Sequence, residues 1–315
     1  MKVSELTKKL DYDFWGMDRE ITGIASWEQA CKTDVAIAFQ KSEIEKTQAE
    51  IVLTRPIVHM TDKTLIMVSD RMDLAMIKVC RILMNAGILP DYSMPAKPSL
   101  CSGGYYVGQN CCIDASAIIS PGVVLGNDIV IGKNCIVESF SVIGSGTLIG
   151  ESVHISSGSR IGADSFYHYK NNDGIWKQFT GCGRTVIGRN THIGYNTVIQ
   201  RGTLSDTEIG ESCMIGNMVD IGHDVRIGNN CRIVSQSGIA GNSILKNNVH
   251  VLGQVGIGNH IVLGNNVTVK AKSLVSKSVA DNHTVFGLFG RDADEELKLN
   301  AKIRRFFNRK EGKNG

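Results

Sequence analysis

Aliphatic residues recur at every sixth position from Val107 through Ile113, Ile119, Leu125, Ile131, Val137, Ile143, Ile149 and Ile155 to Ile161, ten positions without a miss. The period resumes at Ile187, Ile193 and Ile199, slips by four residues, and runs from Ile209 by way of Ile221, Ile239 and Ile257 to Val275. A fixed internal period of this kind is the signature of a solenoid, in which no repeat buries its apolar face alone and stacked neighbours build a continuous core. Three hexads close one triangular coil of eighteen residues, and coils stack at the strand spacing of about 4.8 Å. The chain is therefore expected to be mainly β, a parallel β-helix of hexapeptide repeats.

Other features agree with that reading. Glycine follows the aliphatic residue at Leu125-Gly126, Ile131-Gly132, Ile209-Gly210, Ile221-Gly222 and Ile227-Gly228, where a corner favours a residue without a side chain. Two positions before the aliphatic stand small or β-branched residues, among them Cys111, Val123, Cys135, Ser141, Thr147, Cys213, Val219, Cys231 and Ser237. Cys213 and Cys231, one coil apart, are read as small buried fillers of this ladder in preference to a reactive or metal-binding pair. The composition fits: 34 glycines, 5 prolines, and 42% hydrophobic residues of which few are aromatic.

Before Val107 the pattern is mixed α/β. Ile21–Ala25, Val35–Phe39, Glu50–Thr54 and Thr64–Val68 read as strands. Met72–Met84 reads as a helix with Asp70 as N-cap and Leu74, Ile77, Cys80 or Arg81, and Met84 facing inward. Asn85–Leu100, with three prolines, reads as a linker. The expected organisation is a small α/β recognition domain with linker over 1–100, a β-helix over 101–280 with an inserted loop at 162–186, and a C-terminal extension over 281–315 with a helix at Asp292–Arg309. Both breaks of the period, the aromatic-rich insertion and the four-residue slip after Ile199, are expected to line a binding face.

With 34 basic and 31 acidic residues the net charge of +3 gives no reason to expect nucleic-acid binding. From Leu297 onward, however, seven basic residues meet one acidic residue, a solvated helix face or a surface for an acidic partner. Nine cysteines without a C-x-x-C spacing suggest a reducing, cytoplasmic location, and neither a secretory leader nor a run of 18 apolar residues is evident. No histidine trio or phosphate-binding glycine loop stands out, so neither a metal nor a tightly bound cofactor is expected.

A β-helix filled with aliphatic ladders must do its chemistry outside. Of eight histidines, His223 is best placed: it follows Ile221-Gly222 at a corner, between Asp220 and Asp224, with Gly241 eighteen residues on. An imidazole there can deprotonate a nucleophile while the Gly241 N–H, one coil away, receives an oxyanion. His260 follows about two coils on and can share the groove.

These parts resemble the UDP-3-O-acylglucosamine N-acyltransferases of lipid A synthesis. The resemblance rests on Ile21-Thr22-Gly23-Ile24-Ala25-Ser26, Phe39, Ile161–Phe166, Trp176-Lys177, Gly183–Gly188, Arg201–Thr207 and Ile221–Val225. It implies a left-handed β-helix, a homotrimer with sites between subunits, and transfer of an acyl group from a thioester to the amine of a nucleotide-linked sugar. The donor would carry its acyl group on the phosphopantetheine of acyl carrier protein or on coenzyme A. By the same resemblance His223 is the general base, Gly241 the oxyanion glycine, Asn217 and His260 contribute to substrate binding, and Phe39 stacks on the nucleotide base. The basic C-terminal helix would meet the carrier protein.

Three departures keep alternatives open. Gly216 stands where the family carries an aspartate, no tyrosine follows Phe39 within Gln40–Lys46, and Lys270-Ala271-Lys272 replaces an apolar end of the acyl-donor groove. An acetyl-coenzyme A dependent amino-sugar acetyltransferase of surface-polysaccharide synthesis and a non-catalytic scaffold are the other readings.

Overall fold

A computed structural model describes residues 1–55, 62–92, 97–287 and 297–305. The N-terminal part is a five-stranded sheet of β1 (Asp13–Trp15), β2 (Gly23–Ser26), β3 (Asp34–Ile37), β4 (Ile51–Thr54) and β5 (Thr64–Met67), in the order β1-β5-β4-β3-β2. All neighbours are parallel except β1 with β5. Helices α1 (Val3–Leu10) and α3 (Met72–Asn85) cover one side of it, and α2 (Lys41–Lys46) follows β3. Helix α1, β1 and α2 go beyond the elements read from the sequence.

Helix α3 differs in detail from its expectation. Its N-cap is Arg71, with no side-chain cap, and Asp70 instead accepts hydrogen bonds from Tyr12 Oη at 2.9 Å and from Lys78 Nζ. Met72, Ala75, Met76, Ile77, Val79, Cys80 and Leu83 are the residues it buries, while Leu74 and Met84 are only partly covered and Arg81 reaches Tyr169 Oη. The helix is covered by both the sheet and the solenoid's inserted hairpin, so its apolar face is broader than a single stripe.

From Tyr106 to Val285 the chain is a left-handed parallel β-helix whose three faces are sheets of ten, eight and nine strands, the tenth strand of the first being Ser99–Leu100, which pairs antiparallel with Tyr106–Val107. On the first face Leu125, Ile143, Ile161, Ile199, Ile221, Ile239, Ile257 and Val275 pair in one inward ladder, each almost fully buried. Full burial of each such side chain contributes roughly 1.5–3 kcal/mol, and this continuous ladder replaces a conventional core. Cys135, Cys213 and Cys231 are buried just before strands of the third face, the last two with thiols directed at the carbonyls of Gly228 and Lys246.

The corners explain the polar half of each hexad. Left-handed φ values recur at Asn110, Asn134, Asn190, Asn230, Asn242, Asn248 and Asn266, a conformation that asparagine tolerates better than most residues. Side chains at these corners also bond the coil before them: Asn127, Asn229, Asn247 and Asn265 accept from backbone N–H groups eighteen residues earlier in the chain.

Both interruptions leave the corner between the first and second faces. Tyr167–Lys170 and Trp176–Phe179 form an antiparallel hairpin, so Trp176 and Lys177 belong to a strand, not a loop. The slip at 201–206 is a second bulge on the same corner, stacked one coil later. Residues 297–305 are helical and exposed; the remainder of the helix read at Asp292–Arg309 lies outside the described residues, as does His59. Among the described residues no helix is long and apolar enough to cross a membrane.

Candidate active site

At the corner carrying the two bulges, His223 occupies the ladder position held in earlier coils by Gln109, Asn127 and Ser145. Its ring is largely covered, and Nδ1 lies 2.7 Å from Asp224 Oδ2. Asp224 is itself fixed by the slip: its two oxygens accept from the backbone N–H groups of Thr203, Leu204 and Ser205 at 2.9–3.1 Å. Three backbone donors hold this carboxylate in place beside the ring. It keeps the imidazole hydrogen on Nδ1 and leaves Nε2 as the basic nitrogen.

Gly241 lies against that ring. A Cβ built on it would meet His223 Cε1 and Nε2 at 2.7 Å, so only glycine lets the imidazole sit there. In the ladder of this corner Gly241 offers no side chain to the His223 N–H, and among the described residues no acceptor pairs with its own N–H. Its carbonyl accepts from His260 N at 3.2 Å. An unpaired backbone donor beside a basic imidazole nitrogen is what stabilisation of a tetrahedral oxyanion requires.

Two clefts flank His223. One, of about 430 Å³, lies between the N-terminal part, the hairpin and the solenoid, and is lined by Trp27, Phe39, Tyr167, Leu204, Asn242 and His260, among others. Tyr167 meets the His223 ring edge-on at 5.7 Å, whereas Phe166 and Trp176 of the same insertion are exposed. Burial raises the Tyr167 hydroxyl above the ordinary phenol range, with Asp73 and Asp224 adding to the effect. Phe39 is 62% exposed and available for stacking. The other cleft, of about 410 Å³, runs along the first face past Phe166, Gln200, Asp220, Gly238, Gly241 and Asn259. Bare glycines at 238 and 256 leave the face open there, since a side chain at Gly238 would meet nothing within 4 Å.

His223, Gly241, His260 and Phe39 are thus brought to one corner. Asn217, Lys270 and Lys272 are not; they stand at the corner between the third and first faces. Asn217 accepts from Tyr195 N at 3.0 Å and its N–H donates to Ser235 Oγ, as ladder residues do. Both lysines are exposed and line neither cleft, so within this chain they do not place charge beside His223. Sequence reasoning passed over Trp27, Glu28, Arg226 and the role of 203–205. Only the slip itself signalled the last of these. Among the described residues no group of three or more His, Cys, Asp or Glu side chains could hold a metal ion.

The family model for Bacterial transferase hexapeptide (six repeats) matches residues 128–163 and 206–241. Proteins named UDP-3-O-acylglucosamine N-acyltransferase are similar: that of Methylobacillus flagellatus is 46% identical over 222 residues, covering 70% of this chain and 63% of that protein. The Dechloromonas aromatica protein is 45% identical over 152 residues, 48% of this chain and 44% of its own length. The matched part of the chain spans less than two thirds of these relatives. Among solved structures, a UDP-N-acetylglucosamine acyltransferase from Campylobacter jejuni superposes with a TM-score of 0.53 at 20% identity, over 64% of this chain and 82% of that one. The Arabidopsis UDP-N-acetylglucosamine acyltransferase gives 0.50 at 19% identity, over 62% of this chain and 71% of that one. Both structures are similar in fold.

Proposed function

We propose, for a chain that is a relative of the UDP-3-O-acylglucosamine N-acyltransferases, that it transfers an acyl group from a thioester to the amine of a nucleotide-linked amino sugar. The observation that carries this reading is the His223–Asp224 pair, with Nε2 set against Gly241. The nucleotide sugar occupies the cleft lined by Trp27, Phe39 and His260, and the acyl donor lies along the first face beside Gly238. His223 Nε2 takes a proton as the amine attacks the thioester carbonyl, and the Gly241 N–H donates to the oxyanion. Collapse of the intermediate breaks the C–S bond, and the imidazolium proton leaves with the thiol. Asp224 holds the ring and stabilises its charged form.

The donor is an acyl thioester of carrier protein or coenzyme A, with the exposed basic helix at 297–305 as the docking surface for an acidic carrier. A homotrimer would bring the corner carrying Asn217 of one copy toward the site of another. The test of the acceptor is product analysis by mass spectrometry with a UDP-linked sugar bearing a free amine and with its N-acetylated counterpart. Acylation of the first alone is expected; acylation of the second would place the transfer on oxygen and overturn the reading.

A further inference from the structure

The cleft lined by Trp27 and Phe39 is short of positive charge for the ligand proposed for it. Among the described residues its lining includes Glu28, Glu43 and Asp224 but a single guanidinium or ammonium group, that of Arg226. Two of the carboxylates are committed elsewhere in the fold. Asp224 holds His223 and the slip, while Glu43 accepts from the N–H groups of Phe39 and Gln40 and closes the capping box of α2. Glu28 is different: its carboxylate meets Arg226 Nη2 at 3.3 Å across the cleft, between the turn after β2 and the second face of the solenoid. Both side chains are partly exposed, at 33% and 47%, so the pair sits at a solvated wall where an incoming anion can reach it. Exposed pairs of this kind contribute little to stability.

We infer that Arg226 is the diphosphate-binding residue of the cleft, and that Glu28 occupies its guanidinium until a nucleoside diphosphate displaces it. The inference rests on the proposed nucleotide-sugar reading. A guanidinium offers the planar pair of donors that phosphate oxygens take up, and a diphosphate carries more charge than the carboxylate it replaces. The position also suits the ligand: Arg226 opens the strand Arg226–Ile227 two residues beyond the corner residue Asp224, and Phe39 and Trp27 line the same cleft for the base. Arg226 also lines the neighbouring opening with Glu208 and Lys246, so the cation faces an open approach.

The test is equilibrium binding of UDP and of uridine to the full chain by calorimetry, for wild type, Arg226→Ala and Glu28→Gln. Wild type binding UDP more tightly than uridine is expected. Arg226→Ala should weaken UDP about ten- to hundred-fold, the scale of a lost hydrogen bond to a charged group, and leave uridine unchanged. Glu28→Gln should tighten UDP several-fold, because it removes the competitor and keeps the cation. The two variants break the same contact between the N-terminal part and the solenoid. A bracing role would therefore weaken UDP in both, and that result overturns the inference. Equal UDP affinity in Arg226→Ala and wild type overturns it too. If wild type binds neither UDP nor uridine, it is the nucleotide-sugar reading that fails.

Discussion

Replacing Gly241 by alanine probes the site with one methyl group. The backbone tolerates the change, since Gly241 lies outside the left-handed region. The methyl would lie 2.7 Å from His223 Cε1 and Nε2 and 3.1 Å from Cδ2, against ordinary carbon contacts of about 3.5–4.0 Å. The ring must therefore retreat by nearly 1 Å, while its Nδ1 is tied to Asp224 at 2.7 Å and the ring itself is in edge-on contact with Tyr167. A misplacement of about 1 Å costs on the order of 100-fold in rate, or about 2.7 kcal/mol in the barrier. The assay is steady-state turnover with thermal melting as the control. Gly241→Ala should lose about 100-fold in kcat, with KM for the nucleotide sugar changed by less than about threefold and melting shifted by only a few degrees. A folded variant within twofold of wild-type kcat would refute the placement of the reacting atoms between His223 and Gly241.

Other outcomes follow from the same geometry. Asp224→Asn keeps a residue suited to the left-handed φ of 57° but loses the charge on His223; kcat should fall roughly 10- to 100-fold, in line with a charge-assisted hydrogen bond, with KM nearly constant. Ile221→Ala, at a fully buried rung directly before the catalytic corner, should cost about 2–5 kcal/mol in denaturant unfolding, whereas an exposed rung such as Met214→Ala should cost well under 1 kcal/mol. His192, stacked edge-on at 4.6 Å from His154, has its imidazole pKa lowered, first by burial and then by the charge of His154. The folded state thus binds fewer protons there than the unfolded chain, so stability falls as pH drops below the ordinary value of 6.5 toward the lowered one. His192→Gln should flatten that part of the stability–pH curve; an unchanged slope would contradict it.

The fold was legible because a solenoid writes its geometry locally. Each buried rung from Leu125 to Val275 is a sequence period, and the asparagines of the left-handed corners are part of the same repeat. His223 and Gly241 were legible for the same reason, since eighteen residues is one coil and the stacking follows directly. What the sequence concealed depends on the departures from the period. The slip at 201–206 could be counted, but not that its three N–H groups close on Asp224. The pairing of Arg226 with Glu28 spans 198 positions, and no local pattern encodes it. Asp70 was read as a cap from its position before a helix, yet Tyr12 and Lys78, brought in by α1 and the second turn of α3, compete for the same carboxylate. Lys270 and Lys272 drew attention as charges in an apolar groove; the three-sided coil puts them at a corner that neither cleft reaches.

The central claim is that His223 drives acyl transfer from a thioester to an amine. Free-thiol release by the purified full chain measures it most directly, with 3-hydroxyacyl carrier protein and acetyl-coenzyme A compared as donors, a UDP-linked amino sugar as acceptor, and His223→Ala beside wild type. The account predicts release that requires the amino sugar and falls by at least about 100-fold in folded His223→Ala. Turnover retained in that variant, or no thiol released from either donor by wild type, would contradict it.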